Sequence, residues 1–178
     1  AYLLGAKVLV IGGGNVAMDA SRTAVKDGHD VTLYYRKNFE NMPANTIEVD
    51  EAMKDGVKFR VLQTPVEIRS ENGRNIAVIR DCRTVVSPDG GISTEILDGT
   101  DHEVEFDHMI IAVSETVDHG IFGNEKPETI GANGRPKVNG LQQTSFPDVF
   151  LAGDFLLGPQ TVVQAEKKKK IAVQGILE

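Results

Sequence analysis

The chain has 178 residues, a formal net charge of −7 and 40% hydrophobic residues, enough to bury a substantial core in one domain, or one plus part of another. The acidic balance argues against nucleic acid as the main partner, since phosphate binding needs a concentrated basic face; no apolar run approaches the roughly 20 residues that cross a bilayer, and the N-terminus carries no signal-peptide pattern. Cys82 is the single cysteine, which rules out an internal disulfide, a C-x-x-C redox pair and a cysteine-ligated iron–sulfur cluster within the chain and fits a cytoplasmic setting.

Ala1 stands where Met would open a complete chain, six residues ahead of the first predicted strand, which points to an excised piece. Val8, Leu9, Val10 and Ile11 form a continuous apolar run suited to a strand buried on both faces. Gly12, Gly14 and Ala17 follow at G-x-G-x-x-A spacing, with Gly13 between the first two. Gly12 permits the tight turn, Gly14 removes the Cβ that would hold a pyrophosphate off the backbone, and Ala17 lets the next helix lie close to the strand. Ala17, Ala20 and Ala24 continue one helical face, and Gly28 is placed to close the helix in a left-handed cap. Strand, turn, helix and second strand arrive in order within a unit of about 30 residues, as a dinucleotide-binding turn requires. The bland alternative is a glycine-rich turn without a nucleotide.

Residues Asp30 to Tyr35 are β-branched and aromatic enough for the second strand. An acid at its end, about 20 residues past the glycines, would take the ribose 2′-hydroxyl of NAD. Arg36 and Lys37 stand there instead, and Glu40 is the first acid beyond them. Two cations favour an anionic 2′-phosphate, so the expected cofactor is NADP(H). Asn45 with Glu48 three residues on predicts a capping box that opens a helix through Asp55, stopped by Gly56. Val57 to Leu62 follows as a third strand.

Short β segments then replace the expected crossover helix: Val66–Ile68, Ile76–Ile79 and Ser93–Leu97, with turns at Asn72-Gly73 and at 89–91. An antiparallel meander is the simplest arrangement, with Cys82 as a packed residue at its end. Val104 to Val113 first alternates and then becomes continuously apolar, as a strand entering a buried sheet would. The four histidines share no ligand spacing, so no metal site is expected. Residues 114–137 are rich in Gly, Asn, Pro and Glu and mark the one domain boundary. Residues 148–154 form an apolar run ending in Gly153-Asp154, read as a strand. Gly158-Pro159 then opens a helix carrying Thr161, Val162 and Val163, and the lysines at 167–170 near its end form a solvated face.

Four segments together carry a resemblance: VIGGGNVAMDASRTA, YYRKNFENMPA, LQQTSFPDVFLAGD and GPQTVVQA. They resemble the NADPH- and FAD-dependent oxidoreductases of the glutamate synthase small subunit, a pattern shared by the flavin/NADPH portion of dihydropyrimidine dehydrogenase. The resemblance implies a hydride passing from NADPH to FAD, and onward electron transfer to iron–sulfur clusters carried by an N-terminal portion or a partner subunit. It places Gly12, Gly13, Gly14, Asn15 and Val16 around the NADPH pyrophosphate and Arg36 and Lys37 on the 2′-phosphate. Gly153 and Asp154 would meet the ribityl–phosphate region of FAD, and Thr161 and Val162 would face the isoalloxazine ring. Lys169 departs from the family, which usually has glycine there. No catalytic side chain is implied, because the cofactors carry the chemistry. The expected fold is α/β, a Rossmann-like three-layer dinucleotide-binding domain with a parallel sheet and an antiparallel β-meander. Residues 1–115 would bind NAD(P)H, 116–136 would link, and 137–178 would be the C-terminal segment of an FAD-binding domain. The alternative function is a non-catalytic NADP(H)-binding or assembly module whose flavin site has been lost.

Overall fold

The computed structural model describes residues 5–88, 90–113, 120, 130–131, 134–146, 148–158 and 162–177. The chain divides into two compact units, Ala1–Ser114 and Glu115–Glu178.

The first unit opens with strand β1 (Lys7–Ile11), helix α1 (Asn15–Lys26) and strand β2 (Asp30–Tyr35). A short 3-10 turn, Phe39–Asn41, leads to helix α2 (Thr46–Asp55) and strand β3 (Lys58–Val61). Four strands follow without a helix: β4 (Gln63–Glu71), β5 (Arg74–Val86), β6 (Ile92–Ile96) and β7 (His102–Phe106). Strand β8 (His108–Ile111) then joins the first sheet, whose order is β3-β2-β1-β8. All three of its pairings are parallel.

Alternation along β1 and β2 sorts the core into two layers. Val8, Val10, Val31 and Leu33 pack with Ala17, Met18 and Ala24 of α1 and Val49 and Ala52 of α2. Leu9, Ile11 and Tyr34 point the other way, against Ala77, Ile79 and Phe106 of the antiparallel strands. The continuous apolar run in β1 therefore reflects burial on both faces, and helices, parallel sheet and antiparallel strands make three layers.

Helix α1 closes in a double-bonded left-handed cap: the Gly28 N–H donates to Val25 O and the His29 N–H to Ala24 O, with Gly28 at φ 88°. Its buried face is Ala17, Met18, Ser21 and Ala24 rather than the alanine stripe expected through Ala20. Ser21 is tolerated inside because its hydroxyl donates to Ala17 O at 2.7 Å. Only half of the predicted capping box forms on α2. Asn45 Oδ1 accepts from the Ile47 N–H at 3.1 Å, but Glu48 turns away to Arg22 at 2.9 Å.

Arg22 draws Glu48, Glu51 and Asp55 of α2 onto α1 at 2.7–2.9 Å. The hydrogen bond from Arg22 is the main cause that holds the Asp55 carboxyl below its ordinary value. A depressed carboxylate pKa stabilises the fold above the unfolded value, about 3.9, and the contribution disappears as pH falls through the folded value. Urea unfolding at pH 7 and pH 3 is therefore expected to show a smaller acid-induced loss in Arg22→Ala than in the wild type; equal losses would remove this pair from the acid response.

The antiparallel strands depart from a simple meander. Strand β5 pairs with β4 and β7 over its first half and with β6 over its second, so β7 returns to β5. The run from Val104 to Val113 is also not one strand. It breaks at Asp107, whose carboxylate accepts the Lys7 N–H at 2.7 Å while its own N–H donates to Lys7 O at 2.9 Å. That exchange moves the chain from the antiparallel layer to the parallel sheet. Strand β8 lies at the end of the sheet order, so Ile111 is 65% exposed despite its apolar surroundings in sequence.

In the second unit the expected strand over 148–154 does not form among the described residues. Phe150 makes an isolated bridge to Gln143, and no described strand extends that pairing. Helix α3 (Asp154–Leu157) and helix α4 (Val162–Leu177) follow. The lysines at 167–170 sit in the middle of α4, not at its end, and its last turn carries no basic residue. They therefore have no dipole role there. No described helix is long and apolar enough to cross a membrane.

Candidate functional site

The carboxyl ends of β1 and β2 meet at a turn in which each glycine answers to a different neighbour. At Gly12, φ is 147°, and a Cβ would lie 2.8 Å from the Ala112 carbonyl carbon and overlap its oxygen. This glycine is demanded by the close approach of Ala112, the residue after β8, whose N–H donates to Ile11 O at 2.7 Å. A Cβ on Gly13 would meet the Tyr35 ring at 2.6 Å. Tyr35 is fixed there by its hydroxyl, which donates to Asn41 O at 2.6 Å, and its burial pushes its pKa up. The Gly13 carbonyl accepts the Ala44 N–H at 3.0 Å, which ties the approach to α2 onto the turn.

Gly14 differs from both. Its φ of −91° suits any residue, and a Cβ there would meet nothing within 4 Å. Neither backbone geometry nor packing within this chain calls for glycine at that position. Gly14 is the N-cap of α1, yet it offers no side-chain cap, and the first turn carries no acidic residue. The leading N–H groups of a helix have no intrahelical acceptor, and the positive end of the dipole lies with them. An open approach to an uncapped helix end is the shape that admits an anion. Asn15 and Val16 lie on this exposed rim, with Val16 71% exposed. The Asn15 Oδ1 accepts the Asn45 N–H at 2.9 Å, a link between the two helix starts that spacing alone did not indicate.

Beyond β2, Arg36 is exposed and Lys37 half-buried. The Gly12 N–H donates to Tyr34 O at 3.0 Å, so these cations leave the sheet at the same edge as the glycine turn. Among the described residues of this unit, Arg22, Arg69, Arg74, Arg80 and Arg83 all engage carboxylates. No ion pair is formed by Arg36 or Lys37 there. A further arginine, Arg60 near the end of β3, is also unpaired and opposes Tyr34 in register. Sequence reasoning passed over it because an exposed arginine in an alternating strand looks ordinary.

Gly153, Asp154 and Val162 belong to the second unit. Gly153 has φ 69° and open space where a Cβ would be, and Asp154 starts α3 directly after it. Val162, 82% exposed, lines a groove with Ala152, Gly153, Glu166 and Lys169. Lys169 pairs with Glu166 at 3.6 Å, one turn back on the same helix. Thr161 lies outside the described residues. Among its described lining residues the groove has no second glycine turn of the kind seen at Gly12–Gly14.

Residues 2–168 match the family described as pyridine nucleotide-disulphide oxidoreductase. The chain belongs to that family. It is 32% identical over 184 residues to the Glutamate synthase [NADPH] small chain of Escherichia coli, an alignment covering 97% of this chain and 38% of that one. To the NADP(+)-dependent formate dehydrogenase subunit beta of Moorella thermoacetica it is 34% identical over 168 residues, covering 92% of this chain and 23% of the other. The chain thus spans well under half the length of these relatives. Among solved structures it resembles Mycobacterium tuberculosis FprA in complex with NADPH, with a TM-score of 0.74, 16% identity and coverage of 97% of this chain and 52% of that one. That likeness establishes the fold. The disulphide in the family's description has no counterpart in this chain, whose one thiol, Cys82, is buried and raised in pKa mainly by that burial.

Proposed function

We propose that this chain is the NADP(H)-binding, electron-input part of a flavin-dependent oxidoreductase resembling the glutamate synthase small subunit. The observation that carries this reading is Gly14: a glycine that the chain itself does not need, on an uncapped helix end, beside unpaired cations where an NAD site would place an acid. Residues 1–115 bind the nucleotide, 116–136 link, and 137–178 complete the flavin side. The N–H groups at Gly14, Asn15 and Val16 receive the pyrophosphate; Gly12 and Gly13 set the turn that aims them. Arg36 and Lys37 hold the 2′-phosphate. Gly153 and Asp154 meet the flavin's ribityl–phosphate region, with Thr161 and Val162 toward its ring.

When bound, the nicotinamide supplies a hydride and the flavin accepts it. The chain's own residues bind and orient; no side chain has to move a proton for that transfer. The iron–sulfur portion or partner subunit that takes the electrons onward lies beyond these residues, and a cytoplasmic setting suits NADPH as donor.

The test is calorimetric titration of the chain with NADPH and with NADH. Tighter binding of NADPH is expected, with a preference that drops about tenfold in Arg36→Ala, the size of one charge-assisted hydrogen bond, and shrinks as salt is raised. Equal affinity for the two nucleotides would sink the NADP assignment.

A further inference from the structure

We infer that Arg60, on the strand next to the cofactor strand, is a third cationic contact for the 2′-phosphate and a determinant of NADP(H) over NAD(H). The inference rests on the NADP(H) reading above and extends it to a residue outside the motif. Arg60 pairs in parallel register with Tyr34, and residues paired in this way project from the same face of a sheet. Tyr34 faces the antiparallel layer, so Arg60 does too. Arg36 follows Tyr34 by two residues, just past the end of β2 at Tyr35.

Two further contacts agree. The Cys82 N–H donates to Leu62 O at 2.6 Å, two residues past Arg60. The positive charge of Arg36 opposes the rise that burial imposes on that same Cys82 thiol. Leu62 and Arg36 thus both lie by Cys82, and Arg60 stands two residues before Leu62 at the carboxyl edge of the sheet. Generic strand spacing puts the Cα atoms of Arg36 and Arg60 within about 10 Å, a gap that two arginine side chains span.

The neighbouring charges are otherwise spoken for. Lys58, two residues earlier in β3, is paired with Asp30 at 2.6 Å. Asp81, the acid nearest Cys82 in sequence, accepts from Gln63 Nε2 at 2.8 Å. Arg36 and Arg60 form no ion pair among the described residues. Although the Asp81 charge also acts on the Cys82 thiol, two guanidiniums held close repel one another, and a phosphate dianion relieves that repulsion. Arginine's planar fork suits phosphate oxygens better than a lysine would.

The experiment titrates NADPH, NADH and 2′,5′-ADP into the wild-type chain, Arg60→Gln, Arg60→Lys and Lys58→Gln, with far-UV circular dichroism to confirm folding. Arg60→Gln is expected to weaken NADPH and 2′,5′-ADP about tenfold, to leave NADH unchanged and to flatten the salt dependence. Arg60→Lys recovers part of the loss, and Lys58→Gln keeps the wild-type ratio. A wild type that prefers NADPH together with an Arg60→Gln variant of unchanged preference overturns the role of Arg60 and leaves the NADP(H) reading standing. A wild type that binds both nucleotides equally, or neither, overturns the reading itself and the inference with it.

Discussion

Gly12→Ala is expected to cost the first unit about 3–5 kcal/mol, the sum of a side chain at a strained positive φ and an overpacked contact. The backbone at Gly12 sits at φ 147°, and the obstruction is the Ala112 main chain rather than a side chain that could rotate away. Relief would require β8 to move off β1, yet Ala112 is hydrogen-bonded to Ile11 at 2.7 Å. The loss is a large share of the 5–15 kcal/mol that holds a typical domain. Gly13→Ala should cost less, because its obstruction is the Tyr35 ring, which can tilt at the expense of its hydrogen bond to Asn41. The chain has no tryptophan, and Tyr34 and Tyr35 both lie on β2, so tyrosine fluorescence during urea unfolding reports on this unit. An unchanged midpoint for Gly12→Ala would mean that Ala112 does not press on the turn as the structure has it.

The order of elements from β1 to β2 was legible because local and tertiary demands coincide there, although α1 buries Met18 and Ser21 rather than the expected Ala20. A run apolar on both faces, a glycine turn and a left-handed cap each have one economical solution, and Gly28 takes it. The start of α2 was half legible: Asn45 caps as expected, but Glu48 is claimed by Arg22, 26 residues away in sequence. The break at Asp107 was not read, since alternation passing into an apolar run also fits one strand entering a buried sheet, and only the approach of Lys7 selects the crossing point. The apolar run at 148–154 looked like a strand because composition reports burial, whereas a strand also needs a partner, and among the described residues Phe150 finds only a bridge. At the proposed site, the motif glycines and Arg36 carried a signature in the sequence. Arg60 did not, because what distinguishes it is the absence of an ion pair among the described residues, a property of the folded chain.

Gly14→Asp is expected to move stability and affinity in opposite directions, which no purely structural role for Gly14 allows. An aspartate at the N-cap accepts the free N–H groups of α1 and places a negative charge at the positive end of its dipole. Together these are worth about 0.5–1 kcal/mol relative to glycine. The position can receive it: φ is −91°, the space beyond is open, and no acid already occupies the first turn. The same carboxylate then fills the place proposed for the pyrophosphate and repels it. Losing one or two charge-assisted hydrogen bonds, each about 1.5–3 kcal/mol, weakens NADPH binding by at least about tenfold. Gly14→Ala separates the two effects, since it adds bulk without a cap or a charge: it should melt slightly below the wild type and still lose affinity. Thermal melts and NADPH titrations on the three proteins check this directly. A Gly14→Asp chain that melts higher and still binds NADPH at wild-type strength would show that the helix end is not where the nucleotide sits. A chain that melts lower would mean that the open end of α1 is not the uncapped terminus the structure describes.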